Sequence, residues 1–396
     1  MFKLAKKFRW LLSFHILHHL YLVALPPLFP LLRETIVPSY TLLGVLRGVF
    51  TASGFLMILS GRLADTIGEE KTIILEFFLL PACLLLSALS PSYGILLIFI
   101  ALLGISKTLY HPAGLSFLSK AVPDERRGKV IGLHESMNNI GAGLAFIIIG
   151  PLGAWVGWRM TLALLGIPAL LVAIWSLLSG GEMGEGVNLT SKGPDQQEES
   201  APSGMAEILG IKDKKLIPFY LQVASSIIGG IGFGAFVTFL ASFLTEAYDL
   251  STALAGLLVG MSYLLGFFGN IYGGGISDKI GEVLSYTIFT GAAAIPIVAI
   301  AAWRLPLVLL IPSLGVCFLL RALGNPADKA LLAEHSGTSQ RGRGFGSLFT
   351  SYTFGSFVSG PLFGFLIDTL GLRPSFLIIP FLFVAGAAVR YQVKRY

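Results

Sequence analysis

Twelve long apolar segments run through this chain, and they leave it few ways to fold. A helix needs about 20 largely apolar residues to cross the hydrocarbon core of a bilayer. Segments of that kind lie at 11–32, 41–61, 72–90, 94–119, 129–154, 158–179, 215–245, 252–276, 284–302, 306–333, 342–368 and 374–390, numbered here as spans 1 to 12. Only 13% of residues are charged, about half the share of a soluble domain. Lipid offers the backbone no hydrogen-bond partner, so such segments must be helical. Many contain Gly or Pro, which membrane helices tolerate because small residues allow close approach and neighbours satisfy the freed backbone groups. The sequence therefore predicts an all-α membrane protein.

Lys and Arg set its orientation, because cytoplasmic loops carry the excess of both. With the N-terminus inside, twenty of them fall on the cytoplasmic side, and only Arg33, Arg159, Arg304 and Arg373 fall outside. This predicts a multi-pass protein of the cell membrane with both termini cytoplasmic. The net charge of +6 is spread over short loops, so no nucleic-acid partner is expected. Cys83 and Cys317 lie in apolar stretches and read as buried hydrophobes.

The chain repeats itself. GRLADTIG at 61–68 matches GGISDKIG at 274–281, which aligns Gly61, Asp65 and Gly68 with Gly274, Asp278 and Gly281. His111-Pro112-Ala113 matches Asn325-Pro326-Ala327 at an offset of 214 residues, and the same offset places Arg127-Gly128 on Arg341-Gly342. Gly150-Pro151 matches Gly360-Pro361. The expected organisation is an N-terminal six-helix half at 1–180, a polar cytoplasmic linker at 181–214 and a C-terminal six-helix half at 215–396. Parallel six-helix repeats are one of the transporter architectures.

The loop motif Gly61-x3-Asp65-x2-Gly68, with its second copy at 274–281, resembles that of the major facilitator superfamily, and the resemblance covers the whole chain. It implies twelve transmembrane helices in two pseudo-symmetric halves. Thr66 stands where a basic residue is usual, and Glu69 and Glu70 replace basic residues before Lys71, so the usual charge relay of that loop is not implied. On physical grounds the glycines permit a tight turn, and Asp65 suits a contact near Arg341 and Arg343 that forms in one conformation and breaks in another. An ordinary polar turn is the alternative. Leu109-Tyr110-His111-Pro112-Ala113-Gly114, followed by Glu125-Arg126-Arg127-Gly128, is similar to the fosmidomycin-resistance branch of the superfamily, as are Leu43–Arg47 and the Pro-rich end of span 1. That resemblance implies proton-driven export of drug-like or phosphonate molecules.

Charge inside a bilayer costs about 2.5–3.5 kcal/mol on insertion scales, so each such residue is a site candidate. Lys107 in span 4 and Arg321 in span 10 share the 214-residue offset. A cation in each half suits an anionic substrate, with Arg offering a fork and Lys a point charge; static ion pairs bracing the bundle are the alternative. His111 lies one turn beyond Lys107, while Arg321, Asn325 and Asp328 form the matching stripe. The expected substrate-binding set is Lys107, Arg321, His111, Asn325, His18, Arg47 and Asn138. Glu135 and Asp328 are the expected proton-coupling residues, with static Glu135–Lys107 and Asp328–Lys329 pairs as the alternative. Glu76 and Lys329 fall near span ends and read as snorkelling residues. His15 and His19 have metal-ligand spacing, but no local Cys or Asp accompanies them, so no metal is expected.

No ATP-binding P-loop and no nucleophile motif is present, and neither an enzyme nor a bound cofactor is expected. The reading is a monomeric secondary active transporter working by alternating access, driven by a proton gradient. It exports a small organic anion or amphiphilic drug-like molecule, with membrane lipid as its surroundings. The alternatives are an importer or uniporter of an anionic nutrient, and a lipid or lysolipid transporter.

Overall fold

The computed structural model describes residues 2–121, 124–178, 216–335 and 341–396, with side chains from Trp10 onward except at 58, 119–132, 135, 333 and 341–349. The expected linker at 181–214 lies outside the described residues. Among the described residues every regular element is helical. The first half carries α1 (Phe2–Leu22), α2 (Phe29–Thr35), α3 (Tyr40–Ala52), α4 (Met57–Ile67), α5 (Glu69–Ala88), α6 (Tyr93–Ser106), α7 (Tyr110–Ala121) and α8 (Asp124–Leu178). The second carries α9 (Leu216–Tyr248), α10 (Thr252–Ile280), α11 (Glu282–Ala292), α12 (Ala294–Ala302), α13 (Leu307–Leu323), α14 (Asn325–His335), α15 (Arg341–Leu370) and α16 (Leu372–Tyr391).

Several spans are thus built from two helical pieces. Among the described residues, ten stretches are long and apolar enough to cross a membrane, and Tyr40–Leu56 with Leu59–Ile67, bent by 52°, makes one more. The Ser136–Leu178 stretch has 43 residues, enough for two crossings. It divides at Gly157, whose φ of +78° no helix contains. The twelve expected spans are accounted for. Large apolar side chains such as Trp155, Leu178, Val308 and Phe381 are more than 70% exposed, as lipid-facing residues should be.

The chain packs as two compact units. One contains 1–38, 49–194 and 251–257, and the other 39–48, 195–250 and 258–396. Glycine decides where the two short exchanged segments go. In the second unit a Cβ on Gly44 would lie 2.0 Å from the Gly360 carbonyl oxygen, and Pro361 follows. In the first, a Cβ on Gly256 would lie 3.1 Å from Gly150 Cα, with the Pro151 ring next to it. The matched Gly-Pro pairs thus each accept a helix at backbone contact distance. Asp368 caps the start of α3, accepting from Tyr40 N–H at 2.9 Å and Thr41 N–H at 2.7 Å. A carboxylate there complements the helix dipole.

The internal repeat extends to local devices. Gly68 and Gly281 take φ of +94° and +88° between their flanking helices. A Cβ on Gly61 would meet Pro112 at 3.8 Å, and one on Gly274 would meet Pro326 at 3.9 Å. Gly157 and Gly371 also have positive φ, and two residues on, each half places an arginine on helix-end carbonyls. Arg159 donates to Ala88 and Ser90, both at 2.7 Å. Arg373 donates to Ala301 at 3.1 Å and Ala247 at 3.0 Å. These groups have no intrahelical partner, and a cation there also offsets the dipole.

Close packing of this kind makes a test. A Cβ on Gly141 would sit 2.3 Å from the Ile16 carbonyl oxygen and 2.7 Å from His19 Cβ, whereas one on Gly94 meets nothing within 4 Å. Gly141→Val should cost about 1–3 kcal/mol by overpacking and lower the melting temperature of the detergent-purified protein, while Gly94→Ala should leave it within error.

Candidate functional site

Both halves break their fourth helix at the same place. Span 4 runs as α6, a turn at 107–109 and α7; span 10 runs as α13, Gly324 and α14. Pro112 and Pro326 cause this, since each lacks an N–H and its ring crowds the carbonyl four residues back. Around the first break the chain tightens, and Thr108 and Leu109 donate to carbonyls only three residues back, at 3.0 and 3.3 Å. Lys107 and His111 therefore do not share an uninterrupted helix face, contrary to the sequence expectation. Lys107 is buried, with Nζ 4.1 Å from the centre of the Phe50 ring. Arg321 is buried at the end of α13 and donates to Asn325 Oδ1, and Asn325 Nδ2 donates to Asn270 Oδ1 at 3.2 Å.

Next to the first break, five of the six histidines gather. The His15 ring centroid lies 3.7 Å from that of His134 and 4.5 Å from that of His19. The His18 centroid lies 4.7 Å from that of His111 and 4.8 Å from that of Tyr110. Glu76 from α5 organises this group. Its side chain is fully buried, with Oε1 2.6 Å from His18 Nδ1 and Oε2 accepting the Tyr110 N–H at 2.8 Å. That N–H is one of the donors the break frees. The Tyr110 hydroxyl donates to the Leu11 carbonyl at 2.8 Å, so at its 3.1 Å contact with His134 Nε2 the imidazole is the donor. Glu76 is therefore no snorkelling residue, but the anchor between span 1 and the broken span 4.

The second half holds its own buried network, with different chemistry. Asp328 is paired with Arg390 of α16, accepts from the Tyr352 hydroxyl, and accepts from Gln222 Nε2 at 2.9 Å. Arg390 also reaches Ser226 Oγ at 3.3 Å and lies 4.0 Å over the Tyr286 ring. Gln222 Oε1 is 3.0 Å from His335 Nδ1. Asp328 thus takes Arg390 as its partner and not Lys329. Arg390, counted from the sequence among the cytoplasmic loop charges, is fully buried. Sequence reasoning missed Glu76, Gln222, Tyr352 and Arg390. Polar groups inside spans 3, 7, 11 and 12 were the available signal.

The remaining candidates are placed as follows. Arg47 is half-buried and interacts electrostatically with Tyr263. Asn138 is half-buried in α8, and the Glu135 side chain lies outside the described residues. Asp65 and Asp278 are exposed, each within a Gly-bounded motif whose second glycine has positive φ. The side chains of Arg341 and Arg343, the expected partners of Asp65, also lie outside the described residues.

A buried ion pair stripped of one partner loses about 3–5 kcal/mol. Arg390→Ala should therefore lower the melting temperature sharply, and Asp328→Asn combined with Arg390→Met should recover part of the loss. Thermal unfolding in detergent reads both.

Residues 11–344 match the family profile of the Major Facilitator Superfamily. An uncharacterized MFS-type transporter of Methanocaldococcus jannaschii is 22% identical over 87% of this chain and 87% of its own length. The probable sulfoacetate transporter SauU of Cupriavidus necator is 23% identical over 86% of this chain and 82% of its own. Among solved structures, a bacterial homologue of the human lysosomal transporter Spinster superposes with a TM-score of 0.81 at 16% identity, covering 99% of this chain and 97% of that one. The nucleoside transporter NupG superposes with a TM-score of 0.79 at 15% identity, covering 98% and 99%. The chain belongs to the Major Facilitator Superfamily and is a multi-pass membrane transporter.

Proposed function

We propose that the chain is a proton-coupled secondary transporter, working by alternating access, that exports a small organic anion or amphiphilic molecule across the cell membrane, with both termini cytoplasmic. The observation that carries this reading is the matched pair of helix breaks, each with a buried cation beside it: Lys107 at the turn of span 4 and Arg321 at the end of α13. Discontinuous membrane helices are where transporters build substrate sites, because freed backbone groups and retained charge converge there. Lys107 Nζ lies over the Phe50 ring, and Arg321 donates to Asn325 Oδ1. The named substrate of SauU, sulfoacetate, is an organic anion. The resemblance of Leu109–Gly114 to the fosmidomycin-resistance branch supports the export direction.

In this reading Lys107, Arg321, His111, Asn325, His18, Arg47 and Asn138 serve the substrate. Glu135 and Asp328 exchange the coupled proton. Asp328 suits that role through Arg390, since protonating the carboxylate releases the guanidinium from its pair. Asp65 and Asp278 serve as conformational latches at the Gly-bounded turns.

Anions are screened by thermal shift on the purified protein, then by flux in proteoliposomes. A charge-assisted hydrogen bond contributes about 1.5–3 kcal/mol. Lys107→Ala and Arg321→Ala should each weaken binding of the anion by about 10- to 100-fold while leaving a folded, monodisperse protein. Unchanged affinity in both variants would overturn the anion reading. Glu135→Gln should leave binding intact and abolish flux driven by an imposed pH gradient; full gradient-driven flux in that variant would sink the coupling assignment.

A further inference from the structure

We propose that His18, His19 and His111 form a binding site for a divalent transition-metal ion, oriented by Glu76. One ring nitrogen from each histidine lies within 4.8 Å of the others. The spacing that draws attention in the sequence, His15 with His19, is not the set the structure brings together. His18 and His19 come from α1, and His111 comes from the first turn of α7, immediately after the span 4 break.

The second observation is the state of His18. Its ring is fully buried. Nδ1 lies 2.6 Å from Glu76 Oε1, while Nε2 has no hydrogen-bond partner. With the Glu76 carboxylate accepting, Nδ1 carries the proton and the buried Nε2 is left as the unpartnered lone pair. A buried lone pair without a donor is costly, and a cation is the partner that fits it. Carboxylate–imidazole–metal is a recurrent arrangement, in which the outer carboxylate fixes the tautomer and raises the basicity of the ligand. Glu76 is itself held rigid, because its other oxygen takes the Tyr110 N–H at 2.8 Å.

The donor set selects the ion. Three neutral imidazoles suit Zn²⁺, Co²⁺, Ni²⁺ or Cu²⁺, and exclude Ca²⁺ and Mg²⁺, which require oxygen ligands. Metal–nitrogen distances of about 2.0–2.1 Å put tetrahedral ligand atoms about 3.3 Å apart, so small side-chain rotations close the site. His19 and His111 are half-exposed, which gives the ion a way in and leaves a coordination position for water or an anionic donor. Glu76 would also gain a cation beside a carboxylate that carries no salt-bridged Lys or Arg among the described pairs.

The site does not rest on the anion-transport reading, although His18 and His111 also belong to the expected substrate-binding set. Loss of anion binding with metal binding intact would leave it standing, and the reverse would leave transport standing. The experiment uses the full chain, purified in detergent with its affinity tag removed. Zn²⁺ is titrated by calorimetry, and Co²⁺ is followed by the visible absorption of its low-symmetry nitrogen complexes. One equivalent of Zn²⁺ should bind, and Co²⁺ should give the four-coordinate spectrum. His111→Gln and His19→Gln should each reduce affinity by more than about 100-fold, and Glu76→Gln by about 10- to 100-fold. His18→Gln should abolish the Co²⁺ spectrum; should that variant not fold, the half-exposed His111→Gln carries the same test. No binding to the wild-type chain, or binding of equal affinity in the His19 and His111 variants, would overturn the site.

Discussion

Glu76 is a carboxylate buried in a membrane protein and bonded to one imidazole and one backbone N–H, and the arrangement of the first half depends on it. Pro112 breaks span 4 and frees backbone donors in a medium that cannot satisfy them. Glu76 takes one of these donors with one oxygen and reaches His18 with the other. Two breaks in regular structure, a proline turn and a polar cluster, are thereby stabilised by one side chain that spans α5, α1 and α7. Replacing it with an apolar residue would strand Tyr110 N–H and His18 Nδ1 together, which is why the two groups are best regarded as one unit.

The second half solves the equivalent problem with different residues. Pro326 breaks span 10 as Pro112 breaks span 4, and the glycine turns, the Gly–Pro contacts and the arginine helix caps recur in both halves. The buried chemistry does not recur. Asp328 stands on the broken helix itself and is neutralised by Arg390 of the last span, with Gln222 and Tyr352 completing its shell. Scaffold has been copied and polar function has diverged. Among the described pairs, Glu76 of the first half is bonded to an imidazole and carries no salt-bridged Lys or Arg, whereas Asp328 of the second carries a compensating Arg390. An anion or a metal has more to gain in the first, and a proton-dependent change of pairing has more to act on in the second.

How much of this was legible in the sequence follows from locality. Span number and the two-fold repeat depend on apolar run length and on short Gly and Pro motifs, which act over a few residues, and both were readable; the breaks at Pro112 and Pro326 were not read, because each lies inside one apolar run. The partners of buried charge depend on residues tens to hundreds of positions away. Glu76 sits near a predicted span end and was read as reaching for water, but it is bonded to His18 and Tyr110. Arg390 ends the last apolar run and was counted with the loop cations, yet it is fully buried against Asp328. Arg159 and Arg373 served only as tallies in the orientation count, although both cap helix ends. Histidine spacing is likewise local: i, i+4 on one helix singles out His15 with His19, while the ring nitrogens that gather are those of His18, His19 and His111, the last from another helix.

The anion and metal readings meet at Glu76. Glu76 and Lys107 both stand at the span 4 break, Glu76 through its bond to Tyr110 N–H. A divalent ion on His18, His19 and His111 would add two positive charges to that region in a medium of low dielectric, where charge interactions are strong. An anionic ligand would then be attracted by Lys107 and by an open coordination position together. Affinity for the anion would depend on metal occupancy, and by linkage affinity for the metal would depend on the anion to the same degree. One carboxylate that holds a broken helix together would in that way also set the charge that the break presents to a substrate.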